Sequence, residues 1–149
     1  EFVGEAGGIR IYDDFAHHPT AIEETLSAFE PLAKSRGGRL WACFEPRSNT
    51  VRRRIFEKVL PRSFGKANFV ILAPVYQKKD SLSEADKLRP EEIAEGIVRL
   101  GGNAAVAADY EDIVSRVVVG AKPNDVVVFM SNGNFGGIPL RVLTTLQSR

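Results

Sequence analysis

Residues 13–19 hold the chain's most promising group of reactive side chains, because two carboxylates and both histidines occur there in the order D-D-F-A-H-H-P. A carboxylate such as that of Asp14 accepts hydrogen bonds and suits a ligand that presents hydroxyl groups. Adjacent histidines point in different directions on a strand or a helix, so His17 and His18 lack the spacing that favours one shared metal ion. A second interpretation leaves the histidines only to cap or pack the start of the following helix.

The residues around this stretch place it in a turn. Residues 8–12 alternate as a strand does, and residues 20–29 repeat apolar side chains at helical spacing. The turn therefore follows the carboxyl end of a strand and precedes a helix. In an open α/β sheet, ligands bind at that edge, where helix N-termini attract anions.

Two more polar loops follow strand-like runs. In residues 45–50 an arginine offers a planar donor fork for a carboxylate or phosphate, and three short polar side chains come after it. In residues 131–139 three glycines allow backbone N–H groups to approach a bound group closely. Each loop also has a purely structural interpretation, the first as a helix cap beside a solvated arginine and the second as a mobile turn. The candidate ligand-binding residues of the two loops are Arg47, Ser48, Asn49, Thr50, Ser131, Asn132, Gly133, Asn134, Phe135 and Gly136.

A further loop, residues 75–89, shows no clear periodicity over about fifteen residues, a length that is usual for functional or mobile loops. It contains Lys78, Lys79 and Asp80, and the sequence assigns no role to the two lysines.

Strand-like and helical runs alternate along the rest of the chain. Strand-like runs occupy residues 39–44, 69–74, 104–108 and 125–130, and helical patterns occupy residues 50–60, 90–100, 111–119 and 139–146. Several strands are apolar on both faces, as in a parallel sheet covered by helices on both sides. Residues 2–9 favour a short antiparallel edge hairpin. We therefore predict an α/β, Rossmann-like, doubly wound fold with a mostly parallel sheet and that hairpin. In the second predicted helix, the inward side chains are Val51, Ile55, Phe56 and Val59.

Length and composition restrict the function classes. The chain has 149 residues, which favours one domain over residues 1–149. Its 20 basic and 19 acidic side chains give a net charge of +1, without the concentrated basic patch of a nucleic-acid surface. Cys43, the single cysteine, is expected to be a buried, reduced thiol in a cytoplasmic protein. No run of about 20 apolar residues predicts a membrane span, and no secretory signal is expected.

Three common site types do not fit the sequence. A phospho-acceptor receiver domain needs an aspartate after its central strand and a lysine after its last strand, where this chain has Ala73-Pro74 and Ser131-Asn132. The dinucleotide pattern G-x-G-x-x-G is missing from the turn after the first parallel strand. The phosphate-binding pattern G-x-x-x-x-G-K-[ST] is also absent. If the protein uses ATP, the phosphates must be held elsewhere.

Residues 13–20 resemble the D-D-[YF]-[GA]-H-H-P-T signature that opens the C-terminal domain of the Mur ligases, the ATP-dependent amide ligases of peptidoglycan assembly. Residues 44–50 read F-E-P-R-S-N-T, and residues 131–138 read S-N-G-N-F-G-G-I. Both are similar to members that attach a recovered L-alanyl-γ-D-glutamyl-meso-diaminopimelate tripeptide to UDP-N-acetylmuramate. They differ from the F-x-P-H-R-Y-[ST]-R and G-A-G-x-I of the L-alanine-adding members. The resemblance covers the whole chain.

The resemblance implies a three-domain enzyme of which this chain is the third domain, after a UDP-sugar-binding domain and a central P-loop ATPase. ATP and Mg²⁺ are the implied cofactors, with phosphate and metal ligands outside residues 1–149. The substrate carboxylate would attack the γ-phosphate to form an acyl phosphate, and the amine of the tripeptide would then displace phosphate. The third domain would contribute by aligning the reactants and excluding water. The fragment alone is expected to be inactive.

The resemblance also implies roles for the three loops. Asp14 is expected to accept from the ribose hydroxyls of ATP, with His17 and His18 on the nucleotide side of the cleft. Arg47 and the three residues after it are expected to bind the carboxylates of the incoming peptide, and residues 131–137 to wrap the same peptide. Two alternatives remain, namely the C-terminal domain of an L-alanine-adding Mur ligase and a non-catalytic α/β module that binds a small anion.

Overall fold

The computed structural model describes residues 1–46, 54–75 and 88–149, in which strands and helices alternate as the sequence predicts. The strands are β1 (Phe2–Ala6), β2 (Ile9–Asp14), β3 (Leu40–Phe44), β4 (Phe69–Leu72), β5 (Ala104–Val106) and β6 (Val126–Met130). The α-helices are α1 (Pro19–Ser35), α2 (Leu60–Ser63), α3 (Pro90–Arg99), α4 (Tyr110–Gly120) and α5 (Ile138–Gln147). Two 3-10 helices cover Arg54–Glu57 and Phe135–Gly137.

The six strands form one sheet in the order β1-β2-β6-β3-β4-β5. β1 and β2 are antiparallel, and the other four neighbouring pairs are parallel. The predicted fold class and the edge hairpin are therefore confirmed. The last strand, β6, lies between β2 and β3, so its carboxyl end comes to the middle of the edge at which α/β proteins bind ligands.

Successive strand residues supply two apolar layers, because their side chains point to opposite faces of the sheet. In β3, Leu40, Ala42 and Phe44 pack in the cluster that includes α1, α2 and α3. Trp41 and Cys43 pack in the cluster that includes α4 and α5. Helices thus cover both faces, and Cys43 is fully buried as predicted.

The predicted helix over residues 50–60 is wrong in its described part. The chain forms the 3-10 helix Arg54–Glu57 and then the four-residue α2 in place of one α-helix. Phe56 is partly buried, but Val59, which helical spacing would turn inward, is 51% exposed. Pro61 explains the break, because it has no N–H to donate to the carbonyl four residues earlier. The 3-10 turn holds three residues and so rotates the following side chains away from their α-helical positions.

The first turn begins later than the sequence predicts. Asp13 and Asp14 are the last residues of β2 rather than turn residues, since both still pair with β6. Helix α1 continues past the predicted end at residue 29 to Ser35, with the exposed Pro31 inside it. Among the helices that the structure describes, none has the length and apolar character needed to span a membrane.

Candidate functional site

The carboxyl ends of the three central strands meet at one level. Asp14 in β2 pairs with Met130 in β6, which pairs on its other side with Phe44 in β3. The pairing extends one residue further, since the N–H of Ser131 donates to the carbonyl of Asp14 at 3.1 Å and the N–H of Glu45 donates to the carbonyl of Met130 at 3.0 Å. The three polar loops singled out from the sequence therefore start side by side.

The Asp14 carboxylate is held by one of its oxygens. Oδ2 accepts hydrogen bonds from the N–H of Ala16 at 3.0 Å and from Oγ1 of Thr25 at 3.1 Å. The first bond forms an Asx turn that ends the strand, and the second attaches the carboxylate to α1. No donor within residues 1–46, 54–75 and 88–149 reaches Oδ1, so this oxygen is available to a ligand.

The two histidine rings lie together, with their centroids 4.5 Å apart. The expected divergence applies to regular strands and helices, whereas the backbone at His18 is extended between the two (φ −100°, ψ 152°). Nδ1 of His17 donates to the carbonyl of Phe15 at 2.7 Å, which leaves Nε2 as the acceptor of the neutral ring. His18 occupies the N-cap position of α1 without a side-chain capping bond, and its ring meets that of Phe56 edge-on with centroids 6.4 Å apart, so it packs at the start of the helix and does not cap it. The described residues contain no group of three or more His, Cys, Asp and Glu side chains suited to a metal ion.

A cavity of about 180 Å³ separates the first turn from the last loop. One wall comes from residues 13–15 and the other from β6, residues 131–135 and the start of α5. Phe15 leaves one side open, because its ring is 76% exposed. The structure thus brings two of the three loops singled out from the sequence to one space. The lining residues are Asp13, Asp14, Phe15, Phe129, Ser131, Gly133, Asn134, Phe135 and Pro139.

A larger groove, of about 580 Å³, lies beside β5 between α3 and α4. Its walls are mainly apolar and include Trp41, Val98 and Val119. None of the candidate binding residues that the structure describes lines this groove. We assign the candidate site to the smaller cavity because the polar groups converge there.

In the last loop, the backbone N–H groups of the glycines donate hydrogen bonds to other residues of the same loop. The N–H of Gly133 donates to Oγ of Ser131, and the N–H of Gly136 donates to Oδ1 of Asn134, each at 3.1 Å. The N–H of Gly137 donates to the carbonyl of Asn134 at 3.0 Å. The glycine N–H groups that could approach a ligand are thus engaged within the loop, while the side chain of Asn132 is exposed.

Two candidate residues of this loop have a clear packing role. The Phe135 ring is 2% exposed and lies against the rings of Phe129 and Tyr110, with centroids 5.7 and 5.9 Å away. Its φ of +52° costs about 1–2 kcal/mol in a residue with a Cβ. Gly136 follows at φ +60°, and a Cβ there would overlap the ring of Tyr110. Phe135 and Gly136 therefore set the shape of the loop.

Glu45 is a residue that the sequence analysis does not single out. It is 1% exposed, and its Oε1 accepts from Oγ of Ser131 at 2.9 Å. Its Oε2 accepts from the hydroxyl of Tyr110. The sequence does contain a signal for Glu45, because its carboxylate follows directly after the entirely apolar run of residues 40–44. A glutamate buried in such a place is nearly always paired with another group.

The candidate residues Arg47, Ser48, Asn49 and Thr50 lie outside the described ranges, as do Lys78 and Lys79. The residues that follow these two segments are joined by an ion pair. Glu57 accepts from the N–H of Arg89 at 2.7 Å and from its guanidinium at 3.2 Å. The hydrogen bond to Glu57 raises the pKa of the Arg89 guanidinium, and the nearby carboxylates add to the effect.

Comparison with known proteins relates the chain to one protein family. Residues 1–133 match the family described as Mur ligase, glutamate ligase domain. The chain is 39% identical over 151 residues to the UDP-N-acetylmuramate–L-alanyl-γ-D-glutamyl-meso-2,6-diaminoheptandioate ligase of Escherichia coli (strain K12), covering 100% of this chain and 30% of the relative. It is 35% identical over 145 residues to the UDP-N-acetylmuramate–L-alanine ligase of Nocardioides sp. strain JS614, covering 97% of this chain and 31% of the relative. The chain therefore spans less than a third of the length of these curated relatives.

The fold has a solved counterpart of the same extent. A crystallised domain assigned to a UDP-N-acetylmuramate:L-alanyl-γ-D-glutamyl-meso-diaminopimelate ligase of Haemophilus ducreyi 35000HP is similar with a TM-score of 0.72 and 34% identity, covering 98% of both chains. The family match includes residues 13–15 and residues 129–133, which contribute to both walls of the cavity. On these grounds the chain belongs to the Mur ligase family, in which it corresponds to the glutamate ligase domain.

Proposed function

We propose that this chain is the C-terminal domain of an ATP-dependent amide ligase that joins L-alanyl-γ-D-glutamyl-meso-diaminopimelate to UDP-N-acetylmuramate in peptidoglycan recycling. The observation that carries the proposal is the cavity at the carboxyl edge of the sheet, where Asp14 faces residues 131–135. The N-terminal and central domains of the same polypeptide would supply the sugar site and the ligands of phosphate and Mg²⁺. The complete enzyme would work in the cytoplasm.

The first turn suits the nucleotide. Asp14 presents Oδ1 as a fixed acceptor, while its Oδ2 is bound to Ala16 and Thr25, so a ribose hydroxyl could donate to it without rearranging the turn. Nε2 of His17 adds a second acceptor, because Nδ1 of the same ring donates to the carbonyl of Phe15. His18 lies beside it and would face the nucleotide when the domains close.

The other two loops suit the peptide. Arg47 follows Glu45 by two residues, so the chain enters this loop beside Ser131. A guanidinium binds a carboxylate through two parallel hydrogen bonds, and the tripeptide carries several carboxylates. Ser48, Asn49 and Thr50 would complete that side, and residues 131–136 would form the opposite wall. By aligning the amine and excluding water, the domain would raise the rate without a catalytic residue of its own.

Substitutions of Asp14 in the full-length enzyme test the nucleotide assignment. Asp14→Asn can keep an oxygen toward Ala16 and Thr25 and replaces only the outward oxygen, so we expect an unchanged melting temperature and a KM for ATP about tenfold higher. Asp14→Ala should raise the KM and also lower the melting temperature. The control is Glu24→Gln, an exposed change on α1 that should alter neither quantity. An unchanged KM for ATP in both Asp14 variants would refute the assignment.

Arg47→Lys tests the peptide assignment, because it keeps the charge and removes the fork. We expect the KM for the tripeptide to rise by about tenfold or more, with little change for ATP. An equal effect on both substrates would instead assign Arg47 to domain closure.

Addition of L-alanine is a second candidate activity, favoured by the 35% identity to the Nocardioides enzyme. A site for L-alanine encloses one methyl group and one carboxylate, whereas a tripeptide needs an open channel. We expect a higher kcat/KM for the tripeptide than for free L-alanine, and acceptance of shortened or extended peptides. A higher kcat/KM for L-alanine would identify the other member of the family.

The third interpretation, a self-sufficient anion-binding module, makes a separate prediction. Such a module carries its whole site, so the isolated chain would bind ATP or the tripeptide in a calorimetric titration. On our proposal half of the nucleotide contacts lie in another domain, and the isolated chain should bind neither ligand.

A further inference from the structure

We infer that Glu45 is a positioning residue that couples the loop of residues 131–137 to the start of the Arg47 loop. It acts through Ser131 and Tyr110 and touches no ligand itself. Its kinetic consequence rests on the function proposed above, whereas its structural consequence does not.

One arm of this coupling fixes the start of the last loop. Oε1 of Glu45 accepts from Oγ of Ser131 at 2.9 Å. The same Oγ accepts from the N–H of Gly133 at 3.1 Å, so the hydroxyl links the carboxylate to the first turn of the loop. A serine hydroxyl can donate one bond and accept others, and the donated bond to Glu45 orients it for Gly133.

The other arm fixes the far end of the same loop. Oε2 of Glu45 accepts from the hydroxyl of Tyr110, the first residue of α4. The Tyr110 ring lies 5.9 Å from that of Phe135 and leaves no room for a Cβ at Gly136. By holding the ring, the carboxylate holds the surface on which the loop packs.

The position of Glu45 connects this hydrogen-bond network to residues outside the loop. Its N–H continues the sheet by donating to Met130, and Ser131 in turn donates its own N–H to Asp14. Glu45 also precedes Arg47 by two residues. Ser131 thus links Glu45 on one side to Asp14 on the other, and Glu45 leads along the chain to Arg47.

Stability alone is a weak reason for a charge at this position. Glu45 is 1% exposed, and burying a carboxylate costs free energy. An apolar side chain of similar size is often as stable in such a position, but it cannot orient two hydroxyl groups at once. Burial also keeps the carboxylate away from substrates, which is why we assign it a positioning role and not a catalytic one.

Hydrogen exchange of this chain tests the structural part without any ligase assay, and the crystallised Haemophilus ducreyi domain indicates that a unit of this extent folds alone. Tyr110→Phe removes one hydroxyl, and Glu45→Gln leaves one acceptor oxygen for two hydroxyl donors. In both variants we expect the amides of residues 132–137 to exchange about tenfold faster or more. The control is Glu24→Gln, an exposed change on α1 that should leave the exchange of residues 132–137 unchanged. Unchanged exchange of residues 132–137 in both variants would overturn the inference.

Kinetics of the full-length enzyme test the coupling. Glu45→Gln should raise the KM for the tripeptide about tenfold and leave the KM for ATP within about twofold. Because both changes break one network, the Glu45→Gln/Tyr110→Phe double variant should be no worse than Glu45→Gln alone. Additive effects, or equal effects on both KM values, would overturn the coupling. If the unsubstituted enzyme does not ligate the tripeptide at all, the proposed function fails while the exchange result still decides the role of Glu45.

Discussion

Replacing Asp125 with asparagine should destabilise the fold strongly, at the end of the sheet opposite to the candidate site. Oδ1 of this buried carboxylate accepts from the N–H of Arg39 at 2.8 Å and from its Nε at 3.2 Å. Oδ2 accepts from Nη2 of Arg39 at 2.8 Å, from Nε1 of Trp41 at 3.0 Å and from the N–H of Lys122 at 2.9 Å. Five hydrogen bonds therefore depend on one side chain.

The magnitude follows from the number of donors that lose their acceptor. An asparagine has one acceptor oxygen, and in the better of its two orientations that oxygen serves the three donors at Oδ2. Its amino group then faces the two Arg39 donors at Oδ1, and the guanidinium loses its countercharge. At about 1.5–3 kcal/mol for each bond to a charged group, we expect a loss of about 3–5 kcal/mol. This is a large part of the roughly 5–15 kcal/mol typical of a domain and corresponds to a melting temperature lower by about 10–15 °C.

The same carboxylate should contribute to acid sensitivity. Burial by itself raises the pKa of Asp125, but the hydrogen bonds from Arg39, Lys122 and Trp41 outweigh it and hold the pKa below its ordinary value. A carboxyl group with a lowered pKa in the folded state stabilises the fold above its unfolded-state pKa of about 3.9. That contribution disappears as the pH falls through the lower folded-state pKa. Asp125→Asn should therefore flatten the decline in unfolding free energy in this acid range.

Urea unfolding followed by far-ultraviolet circular dichroism, repeated between neutral and acid pH, measures both effects. Glu111→Gln is the control, because it removes an exposed ion pair with Arg141 and should change stability little. A loss below about 1 kcal/mol in Asp125→Asn, or an unchanged pH dependence, would refute the reasoning.

Three further outcomes can be measured in the same chain. Gly136→Ala should lower the melting temperature more than Gly37→Ala, because both glycines have positive φ (+60° and +70°) but only at 136 would a Cβ meet a neighbouring ring; equal losses would mean that the overlap relaxes. Cys43 is fully buried, and burial raises the pKa of its thiol, so a thiol reagent at pH 8 should label it only after urea unfolding; rapid labelling of the folded chain would contradict this. Phe15→Ala should leave the unfolding free energy almost unchanged, whereas Phe135→Ala should cost about 3–5 kcal/mol, and similar losses for the two would show that the loop is packed differently.

Local sequence patterns predicted the regular elements well where the signals were strong. Helix α3 starts at Pro90 and ends before Gly101, which has φ +91°, because a proline suits the first helical position and a glycine suits the left-handed turn after the last one. The helix over residues 50–60 failed because its apolar spacing fitted an α-helix while Pro61 broke the hydrogen-bond pattern. Helix propensity and apolar periodicity depend on residues close together in the sequence, so they predict local elements more reliably than contacts between distant residues.

The sequence alone determined the alternation of strands and helices, the edge hairpin and the position of the D-D-F-A-H-H-P stretch at the carboxyl end of a strand. It also singled out Asp14 as a ligand candidate, because an aspartate at that edge needs no distant partner to be recognised. These features depend on neighbours along the chain, whose spacing the sequence displays directly.

Only the tertiary structure decided which side chains meet at the site. Glu45 bonds to Ser131 across 86 positions and to Tyr110 across 65, and no local period encodes such contacts. They arise because β6 inserts between β2 and β3, which brings three strand ends to one level. The tertiary structure also buried the Phe135 ring against the rings of Phe129 and Tyr110. The N–H groups of Gly133 and Gly136 are bonded within the loop. Burial favours these pairings, since a buried carboxylate or N–H group without a partner would cost a large part of the small free energy that stabilises a fold.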